Sequence, residues 1–136
     1  MPVSTLYSPA EPVSLSATLR PLRRGYGDPT FRTDVAGVWR TVQTAHGGAT
    51  LRLTRTSEGI AATAWGPGAA WVIEGVPELL GSGDDWSELD VSSVPLLADS
   101  LRRNPGLRLT RTRQVFEMLV AAILEQKVTG KEARAG

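Results

Sequence analysis

The chain has 136 residues, room for one ordinary domain or for a small domain plus part of another. Hydrophobic residues make up 41% and four residues are tryptophan, which supports a packed core and excludes wholesale disorder. Net charge is only +1 and cysteine is absent, which excludes disulfides, thiolate zinc sites and iron–sulfur clusters and suits a reducing, cytoplasmic setting.

The first twelve residues, MPVSTLYSPAEP, carry three prolines and no periodicity, and read as a flexible tail. They lack a positive stretch followed by an apolar core, so they do not read as a signal peptide. No apolar run approaches the roughly 18 residues that a membrane helix needs. Residues 13–19 alternate, with Val13, Leu15, Ala17 and Leu19 against Ser14, Ser16 and Thr18, which predicts a half-buried strand. Residues 20–33 hold two glycines, two prolines and four arginines and read as an exposed loop. Three strand-like runs follow at 35–44, 49–56 and 60–65, joined by turns at His46-Gly47-Gly48 and Ser57-Glu58-Gly59. Together they predict an antiparallel meander, with 13–19 available as a fourth strand.

After Gly66-Pro67-Gly68 the pattern changes to short helical pieces at 69–74 and 76–80, with Pro77 suited to a first helical turn. Gly81-Ser82-Gly83-Asp84-Asp85 reads as a loop, and 93–103 as a helix with Leu96, Leu97 and Leu101 at helical spacing. Sheet first and helices afterwards predict an α+β chain: a small antiparallel sheet domain at 13–90, then helices at 91–136.

A self-contained active site is not evident. Walker, G-x-G-x-x-G and G-x-S-x-G patterns are all absent. His46, the lone histidine, sits in a turn and reads as structural or solvated. Asp84-Asp85 has the residue types of paired carboxylates or metal ligands, but without further ligands nearby a solvated loop is the stronger reading. Trp39, Trp65, Trp71 and Trp86 lie in or beside apolar runs and read as core rather than as a stacking platform. The hexapeptide LRLTRT occurs at both 51–56 and 107–112, but the flanks differ and the repetition reads as coincidence.

Residues 110–135, TRTRQVFEMLVAAILEQKVTGKEARA, carry the clearest signal. Val115, Phe116, Leu119, Val120, Ile123 and Leu124 predict a helix burying one broad face, with Thr110 or Thr112 as its cap. Thr129-Gly130-Lys131-Glu132 has the form of a capping box and predicts a second helix. The joint between them is polar and basic. Free amides at Thr129-Gly130-Lys131, with Lys127 just before, offer a place for a phosphate. On residue types alone a plain helix–loop–helix corner is the stronger reading.

Charge is unevenly spread. Residues 20–55 have seven arginines against Asp28 and Asp34, a net +5; residues 56–101 have eight acids and no base; residues 106–136 have six bases against three acids, a net +3. The basic ends could meet a polyanion, or could simply be solvated surface.

The segment from Pro105-Gly106-Leu107-Arg108-Leu109 through Val115-Phe116-Glu117, Ala122-Ile123-Leu124 and Gln126 to Val128-Thr129 resembles the opening of the catalytic domain of helix–hairpin–helix DNA glycosylases. It is most similar to the DNA-3-methyladenine glycosylase II branch, in which a PGLRL lead precedes a helix ending AIL-x-Q-x-V-S/T. That branch begins with a small antiparallel sheet domain. The resemblance implies that Gln126, Lys127, Val128 and Thr129 approach the DNA minor groove, with Lys131 beside them. Lys127 falls where the family places a wedge, often apolar or glutamine; a lysine is better suited to phosphate than to filling a vacated stack. The family's L-P-G-x-G hairpin and its supporting aspartate follow the motif and are not found here.

The expectation is therefore the amino-terminal portion of a base-excision repair enzyme that flips and hydrolyses out alkylated purines, truncated one helix into its catalytic domain. The family works without metal or cofactor, on damaged double-stranded DNA, as a monomer. This chain alone is expected to be inactive, and a missing carboxyl-terminal half, if encoded separately, would be its partner. A non-catalytic DNA-binding fragment and an unstable remnant of a truncated gene are the alternatives.

Overall fold

Along 49–53 and Ile60–Trp65 every second residue is buried, and this two-residue period builds the molecule's framework. The computed structural model describes residues 1–128 and Glu132. Its strands are β1 (Val3–Tyr7), β2 (Phe31–Asp34), β3 (Gly37–Thr44), β4 (Gly47–Arg55) and β5 (Ile60–Trp65). They form one antiparallel sheet in the order β1-β5-β4-β3-β2. Among the described residues there are five α-helices: α1 (Leu15–Leu19), α2 (Ala69–Glu74), α3 (Val76–Leu79), α4 (Pro95–Arg103) and α5 (Val115–Lys127). The fold is α+β. None of these helices is long and apolar enough to cross a membrane.

The inner face of the sheet carries Phe31, Val38, Ala49, Leu51, Leu53, Ile60, Ala62 and Ala64. Leu19 of α1, Val72 of α2, Val76 and Leu79 of α3, and Leu80 complete the core from the other side. Ala62 and Ala64 are small, so α2 lies close across β1, β4 and β5. Each fully buried leucine contributes about 2 kcal/mol of transfer free energy. Pro77 stands in the first turn of α3, where its missing N–H costs nothing.

The β3–β4 hairpin turns at Ala45-His46, between the paired residues Thr44 and Gly47. Thr44 Oγ1 donates to the Gly47 carbonyl at 2.7 Å and accepts from the His46 amide at 3.0 Å. Gly47 has φ 109°, a conformation that glycine adopts without steric cost.

Three expectations are corrected. Residues 1–12 are not a tail, because β1 fills the free edge of β5 from Val3↔Ala64 to Tyr7↔Ile60. Pro2 and Pro9 lie just outside it, so its residues keep their donors for the ladder. Residues 13–19 are not a strand. Ser14 caps α1 by accepting from the Ala17 amide at 3.3 Å, and Leu15 and Leu19 share a helix face at i, i+4. A serine cap and that spacing outweigh seven residues of alternation. Residues 20–33 are only partly loop: Arg20–Leu22 form a 3-10 turn that buries Leu22, and Phe31 opens β2 as a core residue.

The opposite face of the sheet is open. Ser4, Thr63, Arg52, Trp39 and Arg32 form one cross-strand row on it, none of them buried.

Candidate nucleic-acid interface

The segment from Gly106 to Gln114 is an extended strap that fastens α5 to the sheet domain. The Gly106 carbonyl accepts from the Ser14 amide at 2.7 Å and from the Thr18 hydroxyl at 3.4 Å. The Arg108 amide donates to the same Thr18 oxygen at 3.2 Å, and Arg108 Nε donates to the Pro12 carbonyl at 3.1 Å. Thr18 is fully buried, so its hydroxyl joins α1 to the strap in a dry environment. The Leu109 amide donates to Asp84 Oδ2 at 2.5 Å, the Thr110 hydroxyl to the Leu79 carbonyl at 2.8 Å, and the Arg111 amide to the Glu78 carbonyl at 3.2 Å.

This anchoring corrects the reading of Asp84. The Asp84 side chain is only 9% exposed and engages Leu109 and Arg111, so it is not a solvated loop acid. Asp85 is exposed and accepts from the Ser87 amide at 2.8 Å. The two LRLTRT hexapeptides also have unlike roles. One lies within and just beyond β4; the other is strap.

Near the end of the strap stands Arg113, which has φ 57°. Its guanidinium bonds Glu78 Oε1 through Nε and Nη2 at 2.9 and 2.5 Å, approaches Glu74 at 3.4 Å and lies 5.9 Å from the Trp71 ring. The hydrogen bond from Arg113 is the main reason the Glu78 carboxyl is held below its ordinary value. Gln114, not Thr110 or Thr112, stands at the amino cap of α5 and makes no side-chain cap bond. The Thr112 hydroxyl instead accepts from the Gln114 amide at 3.2 Å, and the Gln114 side chain reaches the Gln43 carbonyl.

α5 does not bury its broad apolar face. Val115 and Phe116 are 79% and 75% exposed, and Leu119, Val120, Ile123 and Leu124 are also exposed. The side turned toward the body is the narrow one, where Met118 packs on the core edge with Arg24 Nη2 3.9 Å from its sulfur. The sheet and α1 to α3 close the core without α5, and α4 lies elsewhere with Leu96 and Leu97 exposed.

Gln126 and Lys127 occupy the last turn of α5 and are exposed. Lys127 stands at a helix carboxyl end, where a cation is favoured by the helix dipole. Val128 is extended, with φ −133° and ψ 164°, and its amide closes the helix on the Leu124 carbonyl at 3.1 Å. Thr129, Lys131 and the expected second helix lie outside the described residues.

The basic stretch at 20–55 does not form one patch. Arg55 reaches the Val13 carbonyl, Arg23 lies over the Tyr26 ring, and Arg40 is on the inner side of the sheet. Burial, and then neighbouring Arg24, pull the Arg40 guanidinium below its ordinary value. Arg32 and Arg52 point to the open face.

Trp39 and Trp65 were expected in the core, and the structure places them on that open face instead. Their ring centroids are 5.8 Å apart with 19° between planes. Arg52 lies between their strands, 5.4 Å from one ring and 5.6 Å from the other. The signal was the register: in alternating strands Trp39 and Trp65 share a parity with Arg52 and Thr63, not with Val38 and Ala64. Trp71, by contrast, does pack against the core.

The chain matches no known family, no curated protein and no solved structure.

Proposed function

We propose that this chain is the amino-terminal, DNA-facing portion of a helix–hairpin–helix DNA glycosylase of the 3-methyladenine type, acting in base-excision repair in the cytoplasm. The observation that carries the reading is the exposed joint at Gln126, Lys127 and Val128, borne on a helix strapped to a small antiparallel sheet domain. The PGLRL lead supports it as well, since Gly106 and Arg108 hold the strap through Ser14, Thr18 and Pro12. A helix apolar on its solvent side is suited to packing against further helices, as the resemblance requires.

In this reading Lys127 contacts a backbone phosphate beside the lesion, while Gln126 and Val128 approach the minor groove. Flipping a base costs a few kcal/mol, least at damaged pairs, which helps select the lesion. Hydrolysis needs the hairpin glycines and the aspartate, which these 136 residues do not contain. The chain by itself is therefore a binder and not a catalyst.

The test is binding to two duplexes, one intact and one carrying an abasic analogue, together with an assay for base release from methylated DNA. Tighter binding to the abasic duplex with no release is the expected result. Equal binding to both, or none, would overturn the glycosylase reading; release of 3-methyladenine would overturn the assignment of inactivity.

A further inference from the structure

We infer that the open face of the sheet binds single-stranded nucleic acid, with Trp39 and Trp65 as the stacking surface and Arg52 as the phosphate contact. This site is separate from the joint at the end of α5 and does not depend on the glycosylase reading.

The face is built by strict alternation. In β5, Ile60, Ala62 and Ala64 are buried while Ala61, Thr63 and Trp65 are half-exposed, and β4 divides in the same way around Arg52. α2 lies on the inner face, where Ala69 and Val72 are buried, and no described residue is buried on the outer one. Two half-exposed indoles stand on this surface, stacked on each other, with no described element over them. A sheet-face tryptophan that served packing alone would be expected under a covering element.

The charges on this face select the occupant. Asp34 is its acid, and it is already engaged. It accepts from the Trp39 indole N–H at 3.1 Å and from the Ala36 amide at 2.8 Å, and pairs with Arg32 at 2.6 Å. The Trp39 bond, before the others, holds the Asp34 carboxyl low and therefore ionised. That bond also fixes the orientation of the indole. Arg52, in contrast, has no ion-pair partner among the described residues; its charge faces the two rings and solvent. A cation beside two parallel aromatic planes matches a ligand that alternates anions with flat rings. Thr41 and Thr50 flank the tryptophans, where a shallow hollow of about 560 Å³ runs past Trp65 toward Gln43. Hydroxyls and an amide there can meet base edges of any sequence. A paired duplex hides its ring faces and cannot stack in this way, so the strand must be single.

Fluorescence anisotropy with labelled oligothymidylate and oligouridylate, each of about twelve nucleotides, tests the proposal on the full chain. The wild type binds the oligomers, and Trp65→Ala weakens binding by about fivefold or more, since each base–aromatic stack is worth at least that much. Trp65→Phe keeps a ring and retains most of the affinity. Arg52→Gln lowers the slope of log affinity against log salt by about one and carries the test should Trp65→Ala fail to fold. No binding of either oligomer, binding that neither Trp65→Ala nor Arg52→Gln weakens, or binding lost only in Lys127→Ala overturns the proposal. So does binding of a proline-rich peptide at this face in place of the oligomers. Loss in Lys127→Ala alone would move the contact to the joint and leave the glycosylase reading standing.

Discussion

Arg113 grips Glu78 with two donors on one carboxylate oxygen, at 2.9 and 2.5 Å, from a backbone conformation that side chains other than glycine rarely adopt. The strain of that conformation is held by the ion pairs with Glu78 and Glu74 and by the Trp71 ring. Arg113→Ala and Arg113→Gly lose the same contacts, but only alanine keeps the strained φ. We predict that the glycine variant is the more stable of the two by about 1 kcal/mol, the cost of a left-handed residue with a Cβ. Urea unfolding of both variants measures the difference directly.

The same pair gives a pH dependence. Glu78 is held below its ordinary value of 4.5, so it binds fewer protons in the folded state than in the unfolded state at mildly acid pH. Its contribution is fully present above that ordinary value and fades as pH falls through the lower, folded one. Asp28, Asp34, Asp85 and Asp90 are also held low, so total stability falls over the same range. The difference between wild type and Glu78→Gln isolates the pair. Thermal melts at descending pH should show that difference shrinking below the ordinary carboxylate range, and a constant difference would contradict the assignment.

Thr18 is a polar residue fully buried in the core, and both its bonds go to the strap. Thr18→Val keeps the volume and leaves the Arg108 amide without its buried partner, at a cost of about 1–3 kcal/mol. Thr18→Ser keeps the hydroxyl and should lose less. Chemical denaturation of the two variants ranks them.

How much of this was legible in the sequence differs by element. IAATAW at 60–65, bounded by Ser57-Glu58-Gly59 and Gly66-Pro67-Gly68, is β5 as expected, and AAWVIE at 69–74 is α2 as expected. The segment at 13–19 misled because Ser14, Ser16 and Thr18 mimic a polar strand face, while Ser14 is a helix cap and Thr18 is buried by the strap. β1 was missed because an edge strand of five residues between prolines has no periodicity of its own; its partner β5 supplies the order. The α5 helix was expected correctly and its orientation was not. Spacing shows which residues share a face and says nothing of which face meets the body. The tryptophan face was hidden for a related reason: parity with Arg52 shows that Trp39 and Trp65 lie on its side, but which side is open depends on where α2 packs.

The outward apolar residues of α5 should matter little to the fold of this chain. Phe116→Ser and Ile123→Ser, both exposed, are predicted to change stability by no more than about 0.5 kcal/mol. They should also reduce self-association, because a bare apolar patch favours it. Sedimentation and urea unfolding of the two variants separate the effects; a large loss of stability would mean that this face packs on the body.

If, as proposed, the joint at the end of α5 faces duplex DNA, Lys127 in its exposed last turn is the residue that meets phosphate. The most direct measurement is the salt dependence of affinity for an abasic-analogue duplex, compared between wild type and Lys127→Ala. A lysine that neutralises one phosphate contributes about one unit to the slope of log affinity against log salt. Lys127→Ala is expected to bind more weakly, with a slope smaller by about that amount. Identical affinities and slopes for the two proteins would contradict the proposal.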